Sequence, residues 1–417
     1  MLKFRWETEF KKTEIGEIPK DWEVRRLGEV VEVKQGKNIS TLKMKEWGYP
    51  VYGANGLIGY ADTYHYEEPQ VLIACRGSTC GIVNWSLPKS YINNNAMALL
   101  PKGIDKKYLY FTMVLNFNSG RIDETITGTG QPQITKETLE PFLIIYPPLP
   151  EQARIATVLS WFDDLIEVKK KQNEILEKTA MAIFKSWFID FEPFKDGEFV
   201  YNEELGREIP KGCEVDKTTR LIEYNPSITM KKGEIYPFIE MKDVKTNSLL
   251  CEPNFKQFSG SGVRYYGGDT LMARITPSLE HGKTAFIWFI SEKEKGFGST
   301  EFFVLHPKES YLKEFVYLLA KNDDFREIAI NSMSGTSGRQ RADINALKNY
   351  SIPIPPPPIL QSFQSLVEPL FQKIILNQKQ IMTLRKVRDT LLPLLVFGKL
   401  RVEEILNGSF SYRRLPR

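Results

Sequence analysis

The stretch that most constrains this chain is residues 147–194, PPLPEQARIATVLSWFDDLIEVKKKQNEILEKTAMAIFKSWFIDFEPF. It has no glycine, and no proline between Pro150 and Pro193. Apolar residues recur at Ile155, Leu159, Phe162 and Ile166, then at Leu176, Ala180, Ile183 and Trp187. Gaps of three and four predict one face of a long α-helix. Pro150 suits the first turn, where a missing N–H costs nothing, and Glu151 suits the positive end of the helix dipole. About 40 residues at ~1.5 Å each make a rod of roughly 60 Å. A second such stretch spans residues 353–398, with apolar spacing through Phe363, Leu366, Leu370, Ile374, Asn377, Ile381, Leu384, Arg388, Leu391 and Leu395. Pro369 is expected to kink or restart this helix, and Pro393 to break it near its end. Lys169 and Asn173 in the first stretch and Asn377 in the second interrupt the seams with polar groups. A buried Asn on a coiled-coil seam fixes register at some cost in stability. Residues 167–174, EVKKKQNE, are too polar for broad burial, which favours a paired rod over helices lying on a globular core.

A chain of 417 residues has room for two or more domains. With 42% hydrophobic and 26% charged residues it has the composition of a soluble globular protein, not a disordered one. No apolar run reaches the length of a membrane span. The opening MLKFRWETEFKK lacks the apolar core of a signal peptide. Cys75, Cys80, Cys213 and Cys251 are too few for a disulfide framework, and none stands at zinc-ligand spacing. These features lead to the expectation of a cytoplasmic protein. A net charge of +4 leans weakly toward anionic partners, and the three histidines, His65, His281 and His306, leave few candidates for His-based catalysis.

Taken in order, residues 71–83 (VLIACRGSTCGIV) predict a hairpin with a polar tip at Arg76–Thr79. Residues 91–100 (YINNNAMALL) set three asparagines before a strand, Tyr108–Phe117 predicts a helix, and residues 127–133 (TGTGQPQ) a polar loop. The second half repeats this order. GEIPKDWEV (16–24) is echoed by GREIPKGCEV (206–215), VLIACRGS by TLMARITPS (270–278), and AMALLPKG (96–103) by FFVLHPKE (302–309). TGTGQPQITKETLEPFLIIYPPLPEQ (127–152) is echoed by SGTSGRQRADINALKNYSIPIPPPPILQ (334–361). This is an internal repeat of about 200 residues, each unit a globular domain followed by a long helix. The expected fold is α+β. Two similar mixed α/β domains, 1–146 and 195–352, alternate with two long antiparallel helices that form a coiled coil, 147–194 and 353–417 with its tail. A pseudo-two-fold axis would relate the halves, a geometry suited to two half-sites on a duplex.

The repeat, with GEIPKDWEVRRLGEV opening a domain, PPLPEQARIATVLSWFDDLIE, ILEKTAMAIFKSWFIDFEPF and TLRKVRDTLLPLLVFGKL, resembles the specificity subunit of type I restriction–modification systems across essentially the whole chain. The start of the second domain, GCEVDKTTRLIE, departs from the usual Trp-containing opening. The resemblance implies two target-recognition domains, each reading one half of a split double-stranded DNA sequence. It also implies a helical scaffold that docks two methyltransferase subunits, joined by restriction (motor–nuclease) subunits. S-adenosylmethionine, ATP and Mg are then expected on the partners, and no cofactor on this chain.

The chain's own residues fit a non-catalytic reading. Asn225-Pro226-Ser227-Ile228 lacks the second proline and aromatic of an adenine-methyltransferase motif, and no P-loop is present. Asp163, Asp164, Glu167 and Lys169 could be imagined as a nuclease site, but they share one helix and fit a solvated face. A self-contained nuclease or methyltransferase with its own DNA reader is the competing reading, and a purely protein-binding scaffold a third. Candidate DNA contacts in the first domain are Arg76, Ser78, Thr79, Asn93, Asn94, Asn95, Thr129 and Gln131. In the second they are Arg274, Thr276, Ser278, Lys283, Thr336, Ser337, Arg339, Gln340 and Arg341. Arg suits guanine, Asn and Gln suit adenine, and Ser, Thr and Lys mostly hold phosphate. Tyr52, Trp85 and Tyr91 fit core or strand-pair roles better than base stacking.

Overall fold

The computed structural model describes residues 2–128, 130–246, 248–336 and 338–405. The chain divides into two units, Met1–Ile166 with Thr383–Arg417, and Glu167–Met382. None of the described helices is long and apolar enough to cross a membrane.

The first unit is organised around Val71–Ala74, whose four residues are all buried. A continuous apolar run of that length makes a strand covered on both faces. It is one of two inner strands of a four-stranded antiparallel sheet ordered Val31–Gln35, Ala96–Pro101, Val71–Ala74, Val83–Trp85. The helix Lys106–Asn118 packs on this sheet. Asp105 caps it by accepting from the Tyr108 amide at 2.8 Å. The buried Tyr108 hydroxyl donates to the Ile145 carbonyl at 3.1 Å, so the phenol is not left unsatisfied. A smaller sheet sets Tyr49–Gly53 antiparallel to Gly56–Ala61 and parallel to Tyr91–Ile92.

The second unit repeats this plan. Its main sheet runs Ile222–Tyr224, Phe302–Pro307, Thr270–Ala273, Thr284–Phe286, again antiparallel throughout. Its second sheet keeps a parallel pair, Ile235–Ile239 with Lys295–Gly298, and has four strands where the first unit has three. Two short helices, Lys313–Lys321 and Asp323–Asn331, follow the main sheet. In both units the strand before the long helix pairs with one near the start of the repeat, Leu143–Tyr146 with Glu23–Arg26 and Ser351–Ile354 with Glu214–Lys217.

The long helices are Leu149–Phe188 and Pro357–Val396, 40 residues each. Each contributes to both cores: Ile155 and Leu159 with Leu392 and Leu395 in the first unit, Ala180 and Phe184 with Phe363 and Phe371 in the second. Within the first unit Arg388 pairs with Asp163. Within the second, Lys169 donates to Gln380 at 2.6 Å. There too the fully buried Asn377 donates to Gln172 at 2.9 Å and Asn173 at 2.8 Å. Numbers rise on one helix as they fall on the other, so the pairing is antiparallel. The Asp163 and Lys169 side chains thus serve helix pairing.

The second long helix is not restarted at Pro369, and the expected break at Pro393 is corrected: one helix runs through both. A mid-helix proline costs about 3 kcal/mol. Burial of Val367, Phe371 and Ile374 around the first, and of Leu392, Leu395 and Val396 around the second, stabilises by roughly 1.5–3 kcal/mol per side chain and outweighs it. The stripe is also displaced at Leu366, which is 50% exposed, while Val367 is buried. The choice between adjacent apolar residues cannot be made from spacing alone.

Beyond the second helix, Leu400–Ile405 pairs antiparallel with Leu2–Trp6, joining the two ends of the chain. Arg401 locks this junction. Its guanidinium bonds Glu7 at 2.8 Å, Asp21 at 3.0 Å and Glu151 at 3.0 Å, with the Arg401, Glu7 and Glu151 side chains nearly buried. Removing one partner of a buried ion cluster strands the others. Arg401→Ala is therefore expected to lower the first unit's unfolding free energy by about 3–5 kcal/mol in urea melts. A loss under about 1 kcal/mol would show that the cluster is not needed.

Candidate nucleic-acid interface

Three loops meet at one end of the main sheet in each unit. In the first unit the chain leaving Val71–Ala74 is bonded on both sides. The Cys75 amide donates to the Asn95 carbonyl at 2.9 Å, and the Cys75 carbonyl accepts from Ile134 at 3.0 Å. Gly77 donates to the Pro132 carbonyl at 3.0 Å, and Arg76 bridges Gln133. Thr127 and Gln133 exchange backbone bonds at 2.8 and 2.9 Å, closing the polar loop. Arg76, Ser78, Asn94, Asn95 and Gln131 are therefore gathered on neighbouring loops, with Arg76, Ser78 and Gln131 exposed. Thr79 sits half-buried in the tight turn before Cys80.

The second unit builds the same cluster. Arg274 donates from its amide to the Glu301 carbonyl at 3.0 Å and accepts from Ala342 at 2.8 Å. Thr276 donates to the Gln340 carbonyl at 3.1 Å, Ile275 bridges Arg341, and Ser334 with Arg341 closes the loop. Arg339 is exposed on the Thr336–Arg339 turn, whose ends are joined by a 3.0 Å bond. Thr129 and Ser337 lie outside the described residues.

These matched bonds fix the correspondence between units. Arg274 stands where Cys75 does, Ile275 where Arg76 does, Arg341 where Gln133 does and Glu301 where Asn95 does. The two candidate arginines, Arg76 and Arg274, therefore do not occupy equivalent positions. Arg76 is the second residue after its strand and is exposed. Arg274 is the first residue after its own strand, with its Nε buried and its guanidinium 5.0 Å above the Phe303 ring. That contact ties the Arg274 side chain to the sheet.

Other candidates make bonds within the fold. Asn93 is buried and its Oδ1 accepts from the Asn95 amide at 2.7 Å, shaping the turn. Lys283 donates its ammonium to the Met241 carbonyl at 2.9 Å. Thr276 accepts from the Gln340 amide at 3.1 Å, and the Ser278 carbonyl accepts from the Lys283 amide at 3.0 Å. Arg341 makes a bidentate pair with Glu301, at 2.9 and 2.6 Å. The Arg341 guanidinium holds the Glu301 carboxyl below the usual carboxylate range against partial burial, with Arg274 assisting.

Two residues at the site were not singled out from the sequence. Gln35 donates to the Asn94 carbonyl at 2.7 Å and reaches Cys75. Glu301 carries a carboxylate, which does not suit contact with an anionic backbone. The echo of AMALLPKG by FFVLHPKE already sets it opposite Asn95. Tyr52 and Tyr91 are buried, and Trp85 is half-buried.

The family model described as the type I restriction modification DNA specificity domain matches residues 19–178 and 213–386. The chain is similar to the type I restriction enzyme MjaIX specificity subunit of Methanocaldococcus jannaschii, at 36% identity over 97% of this chain and 99% of that protein. It is similar to the MjaVIII specificity subunit of the same organism at 25% identity, again over 97% and 99%. Among solved structures, the S subunit of a type I restriction–modification system from M. genitalium covers 90% of this chain and 96% of that one. Its TM-score of 0.55 at 18% identity marks a shared fold. Two matched repeats covering most of the chain, with a relative this similar over its full length, place the protein in the family of type I restriction–modification DNA specificity subunits.

Proposed function

We propose that this chain is the sequence-specific DNA-binding subunit of a type I restriction–modification complex, reading a bipartite target with one loop cluster per half-site. The observation that carries this reading is the duplicated three-loop cluster, set by matching backbone bonds but furnished with different side chains. Arg76, Asn94, Asn95 and Gln131 face one half-site, and Arg339, Gln340 and the Glu301-held Arg341 the other. Base edges are distinguished by such donor and acceptor sets. Selecting bound DNA from a random pool tests it. Arg76→Ala relaxes preference at positions in one half-site only, and Arg339→Ala in the other, each by about 1–3 kcal/mol per contacted base pair. An equal loss across all sequences would assign these arginines to phosphates and leave base reading to other residues.

The proposal includes a docking role for the long helices. Phe184 and Phe188 are buried in the second unit, and Trp187 packs on Phe363 at 5.8 Å. Exposed apolar groups of the first long helix include Trp161 at 42% and Leu165 at 44% in the first unit, and Val168 at 58% and Ile175 at 64% in the second. Apolar surface of this kind marks interfaces, and a methyltransferase subunit on each unit, with restriction subunits added, is the arrangement proposed. Methylation and cleavage then belong to the partners. Purified alone, the chain is expected to transfer no methyl group from S-adenosylmethionine. Co-expressed with its methyltransferase, it supports transfer, and Trp161→Asp with Leu165→Asp reduces co-purification without altering the melting curve. Methyl transfer by the isolated chain would overturn the assignment.

A further inference from the structure

A cavity of about 490 Å³ opens in the second unit beside the second long helix. Its walls include Phe286, Trp288 and Phe371, and its acidic groups are Glu314, Glu368 and Glu292. Glu314 is only 4% exposed, and its Oε2 is buried without a hydrogen-bond partner. Buried carboxylate oxygens are ordinarily satisfied, so this one is set for something that enters. The neighbouring charges are engaged elsewhere. Lys313 donates to Glu292 at 2.6 Å, and Glu368 accepts from Gln364 at 3.2 Å and Gln372 at 2.9 Å. Lys293 lies exposed on the lining. The Trp288 indole is fixed by donating to the Cys251 carbonyl at 2.8 Å.

The first unit shows what such a place accommodates. The second residue of its helix Lys106–Asn118 is Lys107, as Glu314 is the second residue of Lys313–Lys321. The Lys107 ammonium lies 3.7 Å from the centre of the Trp85 ring; burial lowers its pKa, and the long-helix carboxylates Asp164 and Asp163 oppose that shift. Trp85 ends Val83–Trp85 as Phe286 ends Thr284–Phe286. An ammonium supplied in cis in the first unit is thus absent at the matching point of the second, where a carboxylate replaces it among aromatic rings.

We propose that this cavity binds a primary ammonium group, held by Glu314 and by the faces of its aromatic walls. The group comes either from a free aliphatic polyamine or from a lysine side chain of a docked subunit. Burial pushes the Glu314 carboxyl up to about 7. Its own amide and Lys313 oppose that, and Glu368 and Glu292 add to it. Below that pH the carboxyl is protonated and uncharged, so binding weakens. The ionised fraction rises about tenfold from pH 6 to pH 8, and affinity rises with it.

Calorimetric titration of n-butylammonium chloride into the full chain, with sodium chloride as control, tests this. Saturable binding is expected, about tenfold tighter at pH 8 than at pH 6, and lost in Glu314→Gln. Glu314→Lys, which copies the first unit, also abolishes it. Should either variant misfold, a melting-temperature rise of the native chain with butylammonium but not with sodium chloride still decides the matter. Repeating the titration on the complex with its methyltransferase separates the sources. A partner lysine blocks butylammonium there, whereas a free-amine site still binds it and is competed by spermidine. Absence of saturable binding and of a melting shift in the native chain, or undiminished binding by folded Glu314→Gln, would overturn the proposal.

Discussion

The structure depends on burying the apolar stripe of each long helix in a globular core. In the first unit Ile155 and Leu159 share a core with Leu392, Leu395 and Trp22, and in the second Phe184 and Phe188 share one with Phe363 and Phe371. Each such side chain stabilises by roughly 1.5–3 kcal/mol, enough to carry the second helix through two prolines. The polar groups on the seam fix register. Asn377 is fully buried against Asn173 and Gln172, and its Oδ1 is left without a partner. That cost is tolerable where one helix alignment must be singled out from neighbours a turn away.

Upon this frame the units carry the same main sheet, strand for strand, and differ in the side chains where its strands end. Backbone bonds from Cys75 and Arg274 to their flanking loops are matched, so the loops are held in equivalent places. The side chains there have different chemistry: Asn95 and Gln133 on one side, an ion-paired Glu301 and Arg341 on the other. A conserved frame with interchangeable loop chemistry is what reading two unlike half-sites requires, because backbone geometry positions and side chains discriminate.

Much of the fold was legible because the repeat is long and its apolar patterns strong. VLIA and TLMA announce inner strands, and the proline-led helices announce themselves by spacing. Three features were not legible. The pairing of Leu2–Trp6 with Leu400–Ile405 joins residues at opposite ends of the chain, which local pattern cannot reveal. The burial of Val367 in place of Leu366 turns on a small rotation of the helix. At the candidate interface, residue type alone could not separate Arg76, which is exposed, from Arg274, whose Nε is buried and whose charge lies over Phe303. Nor could it separate Asn95 from Asn93, whose side chain is consumed in shaping the turn.

The central claim is that each repeat reads its own half of the target independently of the other. Exchanging residues 14–146 for the corresponding segment of a relative with a different target, then selecting bound DNA from a random pool, tests it most directly. The account predicts a new sequence in one half-site, with the other half unchanged. A change in both halves, or loss of all sequence preference by a folded chimera, would contradict it.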